Sequence, residues 1–248
     1  MEIIKASDLD VGYGKATILK ELNFSIPKGQ VTVMLGKSGC GKSTLLKTLI
    51  GLLSPLKGEI FFSGKKIDFH SEESLQFLYR RIGVLYQNGA LLNSLSVYEN
   101  VALPIRMSHE LWKREDEEKS VYQRLSQVGL GESSDKYPSE LSGGMRKRAA
   151  LARAMVLDPE ILFCDEPSAG LDPITSSGLD ELLMNLKKTL GMTVVVVTHE
   201  LRSIKKIADK VMVLHEGEMH FSGKYEELFS LEDAFIETFF LKKGRDND

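Results

Sequence analysis

The chain has 248 residues, of which 42% are hydrophobic and 27% are charged. This composition is typical of a folded protein with one large core or two modest cores, and it excludes a disordered chain. The formal net charge of −3 argues against a nucleic-acid-binding protein, because such proteins usually carry a basic face.

Membrane-spanning and secreted classes are also disfavoured. No apolar run approaches the roughly 20 residues that a membrane-spanning helix needs. Residues 1–14 lack the basic start and the long apolar stretch of a signal peptide. The two cysteines, Cys40 and Cys164, do not suggest a disulfide framework or a zinc site. We therefore expect a cytoplasmic protein.

Strand patterns recur along the chain. Residues 3–14 and 18–27 alternate between apolar and polar residues, which predicts an antiparallel layer. The runs that end at Gly36, Asp165 and His199 are continuously apolar and are followed by polar or glycine-rich turns. That pattern is typical of buried parallel strands with helices on both faces. Residues 210–223 read as a hairpin that turns at Glu216 and Gly217.

Helical patterns dominate between Gly89 and Pro159. Residues 110–130 carry charges of both signs with spaced apolar residues, which is typical of a helix with a solvated face. We predict an α/β fold whose catalytic core and β subdomain comprise residues 1–88 and 159–225, interrupted by a helical subdomain at 89–158. Residues 226–248 are expected to form a C-terminal helix and a frayed tail.

A phosphate-binding loop is predicted at residues 36–43, GKSGCGKS. They match G-x-x-x-x-G-K-[ST] and lie between a strand pattern and a helix pattern, as this motif requires. Backbone N–H groups of the loop and the helix N-terminus would bind phosphate oxygens. Lys42 is expected to reach the β- and γ-phosphates, and Ser43 to bind Mg²⁺. A glycine-rich turn that binds nothing is the alternative.

The apolar run that begins at Ile161 ends in two carboxylates, Asp165 and Glu166. Asp165 would lie beside the phosphate loop and hold Mg²⁺. Glu166 would lie closer to the γ-phosphate, where it could activate the attacking water as a general base. An Asp-Glu pair that caps the next helix is the alternative.

A second anion-binding helix start is predicted at residues 141–155. Ser142, Gly143 and Gly144 precede an alanine-rich helix pattern, so the first N–H groups of the helix carry no bulky side chain in front of them. A single ATP cannot obviously engage both helix starts in one subunit.

The sequence LSGGM at 141–145, followed by DEPSAGLD at 165–172, resembles the signature and following loop of ATP-binding-cassette (ABC) ATPases. The resemblance covers residues 1 to about 225 and implies that 1–248 form a single ABC ATPase domain. It implies a P-loop NTPase (RecA-like) core with an antiparallel β subdomain and an inserted α-helical subdomain, with ATP and Mg²⁺ as ligands. It also implies a head-to-tail dimer, in which the signature of one subunit closes on the phosphate loop of the other.

The resemblance then assigns roles residue by residue. Tyr13 would stack on adenine, and Gln87 would contact Mg²⁺ or the attacking water. Asp172 would lie at the dimer interface, and His199 would contact the γ-phosphate. The expected catalytic residues are Glu166, His199, Gln87 and Lys42, and the expected metal ligands are Ser43, Gln87 and Asp165. The expected nucleotide-binding residues are Tyr13, Gly36, Lys37, Ser38, Gly39, Cys40, Gly41, Lys42, Ser43, Thr44, Leu141, Ser142, Gly143, Gly144 and Asp172.

Residues 87–104, QNGALLNSLSVYENVALP, together with LSGGM, resemble the MlaF-type ATPases of the Mla/Mce phospholipid transporters of bacterial envelopes. The resemblance implies a peripheral motor subunit on the cytoplasmic face of the inner membrane. Its partners would be a second copy of the ATPase subunit, an integral membrane permease, an Mce-domain substrate-binding protein and a small regulatory subunit, with no nucleic acid. Leu91, Leu92 and Val97 would be divided between the core of the insertion and a permease helix.

Other functions remain open from the sequence. The chain could serve a small-solute ABC importer, act as a soluble ABC ATPase on nucleic acid, ribosomes or cofactor assembly, or bind nucleotide without turnover as a regulatory module. A single cassette with no heptad array and no basic excess favours transport.

Overall fold

The computed structural model describes residues 1–108, 111–231, 233 and 235–236. Its strands are, in chain order, β1 (Glu2–Tyr13), β2 (Ala16–Pro27), β3 (Val31–Gly36), β4 (Lys57–Phe62), β5 (Lys65–Lys66), β6 (Ile82–Leu85), β7 (Ile161–Asp165), β8 (Thr193–Val197), β9 (Lys210–His215) and β10 (Glu218–Lys224). Its helices are α1 (Lys42–Leu49), α2 (Glu72–Tyr79), α3 (Val97–Met107), α4 (Arg114–Gln127), α5 (Gly143–Met155), α6 (Pro173–Leu190) and α7 (Leu201–Ile207). Short 3₁₀ turns lie at Gly131–Ser133, Pro138–Glu140 and Glu226–Ser230.

The strands form two sheets. The first has the order β2-β1-β4-β5 and is antiparallel throughout. The second has the order β10-β9-β3-β8-β7-β6, and it is parallel except for the hairpin of β9 and β10. This hairpin turns at Glu216 and Gly217, as predicted, and both residues have a positive φ of the kind that tight hairpin turns require.

The parallel strands are buried on both faces. Every residue of β3 and β8 is buried, which explains why these strands are continuously apolar in sequence. Because β3, β8, β7 and β6 run in the same direction, their carboxyl ends meet at one edge of the sheet, where ligands bind in open α/β sheets. That edge therefore receives the segments that follow Gly36, Val197, Asp165 and Leu85.

The predicted helical insertion contains α3, α4 and α5. Between residues 89 and 158, apart from the undescribed 109–110, the structure has helices and turns but no strand. The buried residues of these helices belong to the same apolar cluster as Val31, Val33 and Leu162 of the parallel sheet. The boundaries of the subdomain stay a prediction, because this core continues from the helices to the sheet. The charged pattern at 110–130 is helical over α4 and stops before Gly129, which has a positive φ.

A buried asparagine closes the loop between β6 and α3. Asn100, on α3, is fully buried, and its amide nitrogen donates to the carbonyls of Leu92, Leu95 and Ser96 at 2.9–3.0 Å. Its amide oxygen accepts from the N–H of Leu92 at 2.8 Å. Ser96 caps α3 in a capping box with Glu99. The shape of the loop is therefore set by polar contacts from the first turns of the helix.

The three apolar residues of this region have different environments. Val97 is fully buried, Leu91 is half-buried against the core, and the side chain of Leu92 is 46% exposed. Leu92 is thus available to a partner, while Val97 belongs to the core.

Other expectations from the sequence concern the termini and the cysteines. Cys40 and Cys164 are both free. Among the described residues, no helix is long and apolar enough to cross a membrane. Most of the helix and tail expected at 226–248 lie outside the described residues, and the part that is described begins with the 3₁₀ turn Glu226–Ser230.

We predict that Asn100→Asp destabilises the protein by about 2–4 kcal/mol, because the carbonyls of Leu92, Leu95 and Ser96 lose a donor and a carboxylate takes the place of the fully buried amide. Asn185→Asp, at an exposed position of α6, is the matched control and should change the free energy of unfolding by no more than about 0.5 kcal/mol. Urea unfolding measures both variants. Equal stability of the two would contradict the structural role of Asn100.

Candidate nucleotide-binding and active site

The phosphate loop joins β3 to α1. Gly36 has a φ of 152°, and a Cβ at this position would lie 2.4 Å from the Sγ of Cys40 and 2.5 Å from the carbonyl oxygen of Leu214. Gly41 has a φ of 103°, and its Cβ would lie 2.7 Å from the Leu19 side chain. Both the backbone conformation and the lack of space therefore require glycine at these two positions.

The side chain of Lys42 closes this loop. Its Nζ donates to the carbonyls of Gly36 at 2.8 Å and Lys37 at 3.0 Å, and it lies 3.9 Å from the Sγ of Cys40. Thr44 is buried in the first turn of α1, while Ser43 is exposed beside it. The remaining loop residues Lys37, Ser38 and Gly39 are exposed. The loop thus presents a cation and a hydroxyl group at a helix N-terminus, which together suit a phosphate and its metal ion.

Asp165 ends β7, two strands away from β3. Burial raises the pKa of its carboxyl group and so does Glu166, whereas Lys42, Lys147 and Lys47 lower it. A cation beside Asp165 would offset the cost of burying its charge. Among the described residues, no group of three or more His, Cys, Asp or Glu side chains could hold a metal ion alone. The oxygen donors Asp165 and Ser43 fit Mg²⁺ when phosphate oxygens complete its coordination.

Glu166 and His199 form a hydrogen-bonded pair. The Nδ1 of His199 lies 2.8 Å from Oε1 of Glu166, with the glutamate side chain 17% exposed and the histidine 59% exposed. The two residues meet because Asp165 of β7 pairs with Val197 of β8, so that each follows the end of its strand. A carboxylate oriented by an imidazole can accept a proton from water. The sequence predicts a γ-phosphate contact for His199, and in this structure its partner is Glu166.

Gln87 follows β6 and is exposed at the carboxyl edge of the parallel sheet. Its carbonyl oxygen accepts a hydrogen bond from Nζ of Lys147 on α5. Tyr13, at the end of β1, is 47% exposed, and its hydroxyl group accepts from Nζ of Lys47 on α1 at 3.3 Å. Tyr13 therefore stands beside the helix that begins at the phosphate loop.

The predicted second anion site lies at the start of α5. Ser142 is the N-cap, and its Oγ accepts from the N–H of Met145 at 3.3 Å. Leu141 is buried, and its carbonyl accepts from Nε of Arg146 at 3.1 Å. A Cβ on Gly143 would lie 3.3 Å from the Leu171 side chain. The start of α5 thus packs against the segment that leads into α6.

Asp172 caps α6 next to this start. It accepts from the N–H groups of Ile174 and Thr175 at 3.0 Å and from the Thr175 hydroxyl group at 2.5 Å. The Thr175 hydrogen bonds hold the pKa of Asp172 below its usual value. Asp172 is exposed, so a partner subunit can reach it.

The structure adds four polar residues that the sequence does not single out. Lys147 and Arg153, on α5, bind carbonyls of the segments that carry Gln87 and Glu166. Ser168 is buried and donates to Oε2 of Glu200 at 2.7 Å, which ties the segment after β7 to the residue that follows His199. Charged residues in a helix read as solvated from sequence, and only their burial in the fold reveals their partners.

Comparison with known proteins assigns these features to a family. The family described as "ABC transporter" matches residues 19–169. The chain is 39% identical over 236 residues to the probable ribonucleotide transport ATP-binding protein mkl of Mycobacterium tuberculosis, which covers 95% of this chain and 66% of that protein. It is 39% identical over 216 residues to the methionine import ATP-binding protein MetN of Haemophilus influenzae, covering 87% of this chain and 62% of that protein. The chain thus spans roughly two thirds of these relatives.

Solved structures match over most of their length. The cbiO1 protein of Clostridium perfringens, part of the ABC transporter complex cbiONQ, gives a TM-score of 0.86 at 33% identity, covering 96% of this chain and 95% of that one. The ATP-binding cassette MJ0796, solved as a dimer with ADP and Pi, gives 0.78 at 31% identity, covering 89% and 98%. These matches confirm the predicted α/β P-loop fold with its antiparallel sheet and helices.

We predict that Gly144→Ala destabilises the protein, because the new Cβ would lie 2.4 Å from Cγ2 of Thr175. Because this distance is far inside van der Waals contact, the overpacking should cost about 3 kcal/mol, the upper end of the usual range, which exceeds the gain of about 1 kcal/mol in helix propensity. Thr175→Ser removes the clashing methyl group and keeps the hydroxyl group that Asp172 accepts from, so the double variant should recover most of the loss. Thermal unfolding measures the series.

Gly131→Ala is the matched control, since a Cβ there would meet no atom within 4 Å. If Gly144→Ala were as stable as Gly131→Ala, or if Thr175→Ser did not restore stability, the close packing of α5 against α6 would be refuted.

Proposed function

The chain belongs to the ABC transporter family and is one of its ATPase cassettes, and we propose that it hydrolyses Mg-ATP as the motor subunit of a membrane transporter that moves phospholipid in a bacterial envelope. The observation that carries the ATPase proposal is the hydrogen-bonded pair of Glu166 and His199 at the sheet edge that also holds the phosphate loop.

Hydrolysis follows from the groups at this edge. Glu166 accepts a proton from the water that attacks the γ-phosphate, while the bond from the γ-phosphorus to the bridging oxygen breaks and ADP leaves. His199 keeps the carboxylate in place through Nδ1. Lys42 and the backbone N–H groups of the loop stabilise the charge on the phosphate oxygens. Ser43, Asp165 and Gln87 would hold Mg²⁺, which would supply further neutralisation of the phosphate charge.

A second copy of the chain completes the site. The start of α5 is an anion-binding helix N-terminus whose contacts within the chain are with the α6 region. We assign the segment from Leu141 to Gly144 to the ATP that the partner subunit holds, with its exposed residues Ser142 and Gly143 facing the partner's phosphate loop and Asp172 at the interface. The dimer of the similar cassette MJ0796 supports this arrangement. One isologous contact then creates two equivalent sites.

A groove between α2 and α3 is assigned to the permease. It has a volume of about 290 Å³ and is lined by Gln76, Tyr79, Arg80, Pro104, Met107, Ser108, Trp112 and Leu157. The side chains of Met107 and Tyr79 are 73% and 43% exposed. An apolar groove of this kind accepts the apolar face of a helix. Since the loop after Gln87 leads into α3, a permease helix in the groove would be linked to the ATP site. The chain would then bind the permease on the cytoplasmic face of the membrane.

The phospholipid assignment rests on residues 87–104 together with LSGGM, which resemble the ATPases of Mla/Mce-type transporters. It implies a permease, an Mce-domain substrate-binding protein and a small regulatory subunit as partners. Import of a small solute is the second candidate, because relatives at 39% identity are named for methionine import and ribonucleotide transport.

Purification of the tagged chain from membranes of its own organism separates the two candidates. The phospholipid transporter predicts an integral permease, an Mce-domain protein and bound phospholipid detected by mass spectrometry. Recovery of a periplasmic solute-binding protein, with ATPase activity stimulated by an amino acid or another small solute, would favour the second candidate and refute the phospholipid assignment.

We predict that Glu166→Gln binds ATP with an affinity within about threefold of the unmodified chain but lowers kcat by about 100-fold or more, because the general base is lost. Steady-state hydrolysis and equilibrium ATP binding measure the two effects. Glu181→Gln is the control: it replaces an exposed carboxylate of α6 that lies outside the site, and it should leave kcat within about twofold. Unchanged turnover by Glu166→Gln would remove Glu166 from the role of base.

We predict that Met107→Asp weakens binding of the permease without affecting ATP hydrolysis. A charge in the groove should reduce co-purification of the permease by about tenfold, since an apolar docking surface excludes an unpaired carboxylate. The ATPase activity of the isolated chain should stay within about twofold, because Met107 is exposed. Leu190→Asp, at an exposed apolar position at the end of α6, is the control. Normal permease recovery with Met107→Asp would refute this docking surface.

A further inference from the structure

Helix α5 carries two cations that face the active-site segments. Lys147 is 6% exposed, and its Nζ donates to the carbonyl of Gln87 and lies 3.4 Å from the carbonyl oxygen of Glu166. Arg153, six residues further along the helix, donates to the carbonyls of Gly89 and Ala90, both at 2.7 Å. Helix α5 therefore holds the turn at 87–90 at three carbonyls and the residue after β7 at a fourth.

The backbone at these carbonyls is strained. Glu166 has a φ of 45° and Ala90 a φ of 50°, in the left-handed region that residues with a Cβ rarely adopt. Such conformations persist where the surrounding contacts over-determine them. The N–H of Glu166 donates to Val197 at 2.8 Å, and its carbonyl accepts from the N–H of Ala169 at 3.1 Å as well as from Lys147. Lys147 is thus one of the contacts that fix the backbone from which the Glu166 carboxylate extends.

The position of Lys147 also connects the two halves of the composite site. It lies five residues beyond Ser142 on the same helix, which corresponds to about 7.5 Å along the helix axis. Helix α5 has 13 residues and no proline, so no proline kink separates its start from Lys147. A shift of the α5 start, when it engages a nucleotide on the partner subunit, would therefore carry Lys147 and the carbonyls that it holds.

The charge of Lys147 is compensated by its surroundings. Burial lowers the pKa of its ammonium group, and the groups nearby on the β7 end, Cys164, Asp165 and Glu166, oppose this effect. A buried lysine that contacts main-chain carbonyls and lies near two carboxylates has its donors and its charge satisfied within the site. A purely packing role would be served by an apolar side chain of the same length, which would not incur this cost.

We propose that Lys147 is a positioning residue for ATP hydrolysis, which holds the main chain of Gln87 and Glu166 in place and couples both to the start of α5. This inference rests on the proposed roles of Glu166 and Gln87 in hydrolysis. Lys147 contacts no phosphate in this assignment; it acts through the general base and the glutamine whose carbonyls it binds.

Lys147→Met tests the proposal, because methionine keeps the length and the apolar stem and removes only the ammonium group. In the full chain, kcat for ATP hydrolysis should fall by about tenfold or more, while ATP affinity measured without turnover stays within about threefold. Lys147→Gln, which has an uncharged amide, is the second variant and should lose about threefold or more in kcat.

Arg148→Met is the matched control. Arg148 is the next residue on α5, and its Nη1 donates to the carbonyl of Val128 at 3.3 Å, at the end of α4. This variant also removes a cation and a main-chain hydrogen bond from α5, and it should keep kcat within about twofold.

Amide hydrogen exchange supplies a readout that does not depend on turnover. The N–H of Gly89 donates to Tyr86 at 2.8 Å. Without the Lys147 contact, amides at 87–91 should exchange about fivefold faster or more in Lys147→Met, and at the unmodified rate in Arg148→Met.

A kcat for Lys147→Met within about twofold of the unmodified chain, or unchanged exchange at 87–91, would overturn the proposal. Equal losses of kcat, ATP affinity and melting temperature in Lys147→Met and Arg148→Met would also overturn it, because they would indicate a general role in the fold. Glu166→Gln distinguishes failure of the positioning role from failure of the proposed function. If Glu166→Gln abolishes turnover and Lys147→Met does not lower it, only the positioning role fails. If Glu166→Gln hydrolyses ATP normally, the proposed function itself fails.

Discussion

The alignment of the four parallel strands β3, β8, β7 and β6 is the constraint on which the site depends. Cys164 of β7 is paired with Leu85 of β6, and Asp165 with Val197 of β8, while Met34 of β3 is paired with the same Val197. This register puts the residues after each strand at one edge. A slip by one residue would turn every side chain of a strand to the opposite face. Full burial of β3 and β8 makes such a slip costly, so the hydrophobic core determines where the chemistry occurs.

Charged groups surround a strained backbone position, Glu166, at this edge of the sheet. Asp165 and Glu166 are adjacent carboxylates at the end of a buried strand, and burial together with Glu166 raises the pKa of Asp165. Lys42 approaches from the phosphate loop, and Lys147 approaches from α5 behind the carboxylates. The backbone of Glu166 is left-handed, with a φ of 45°, and its carboxylate lies 2.8 Å from Nδ1 of His199. The strain of Glu166 is held by hydrogen bonds on both sides of its peptide group.

The segment from Gln87 to Pro104 combines three environments within a short stretch. Its first residues are held by cations of α5, and its middle is closed by Asn100. Leu92, in its middle, is exposed, and Met107, just beyond its end, is exposed in the groove between α2 and α3. Hydrogen bonds from Asn100 to the loop and from α5 to residues 87–90 connect α3 to the residues beside the ATP site. This physical continuity is what makes the segment suited to linking a membrane partner to the ATP site.

Local patterns in the sequence were enough to predict the phosphate loop, the buried strands, the hairpin at Glu216 and the helix start at Ser142, because each depends on backbone geometry or on apolar periodicity within a few residues. The mixed α/β core could be predicted for the same reason, whereas the P-loop NTPase fold was implied by the resemblance to ABC ATPases. The partners of Lys147, Arg153, Asn100 and Ser168 could not, although all four residues stand in segments that the sequence singles out. Lys147 binds residues 60 and 19 positions away, and Arg153 binds residues 64 and 63 positions away. A charged residue in a helix has the same local pattern whether it faces water or a buried carbonyl. Only the packing of α5 against the sheet edge decides between these two environments. Packing makes the charge costly because it removes water, and it also brings the carbonyls that satisfy the charge within hydrogen-bond distance.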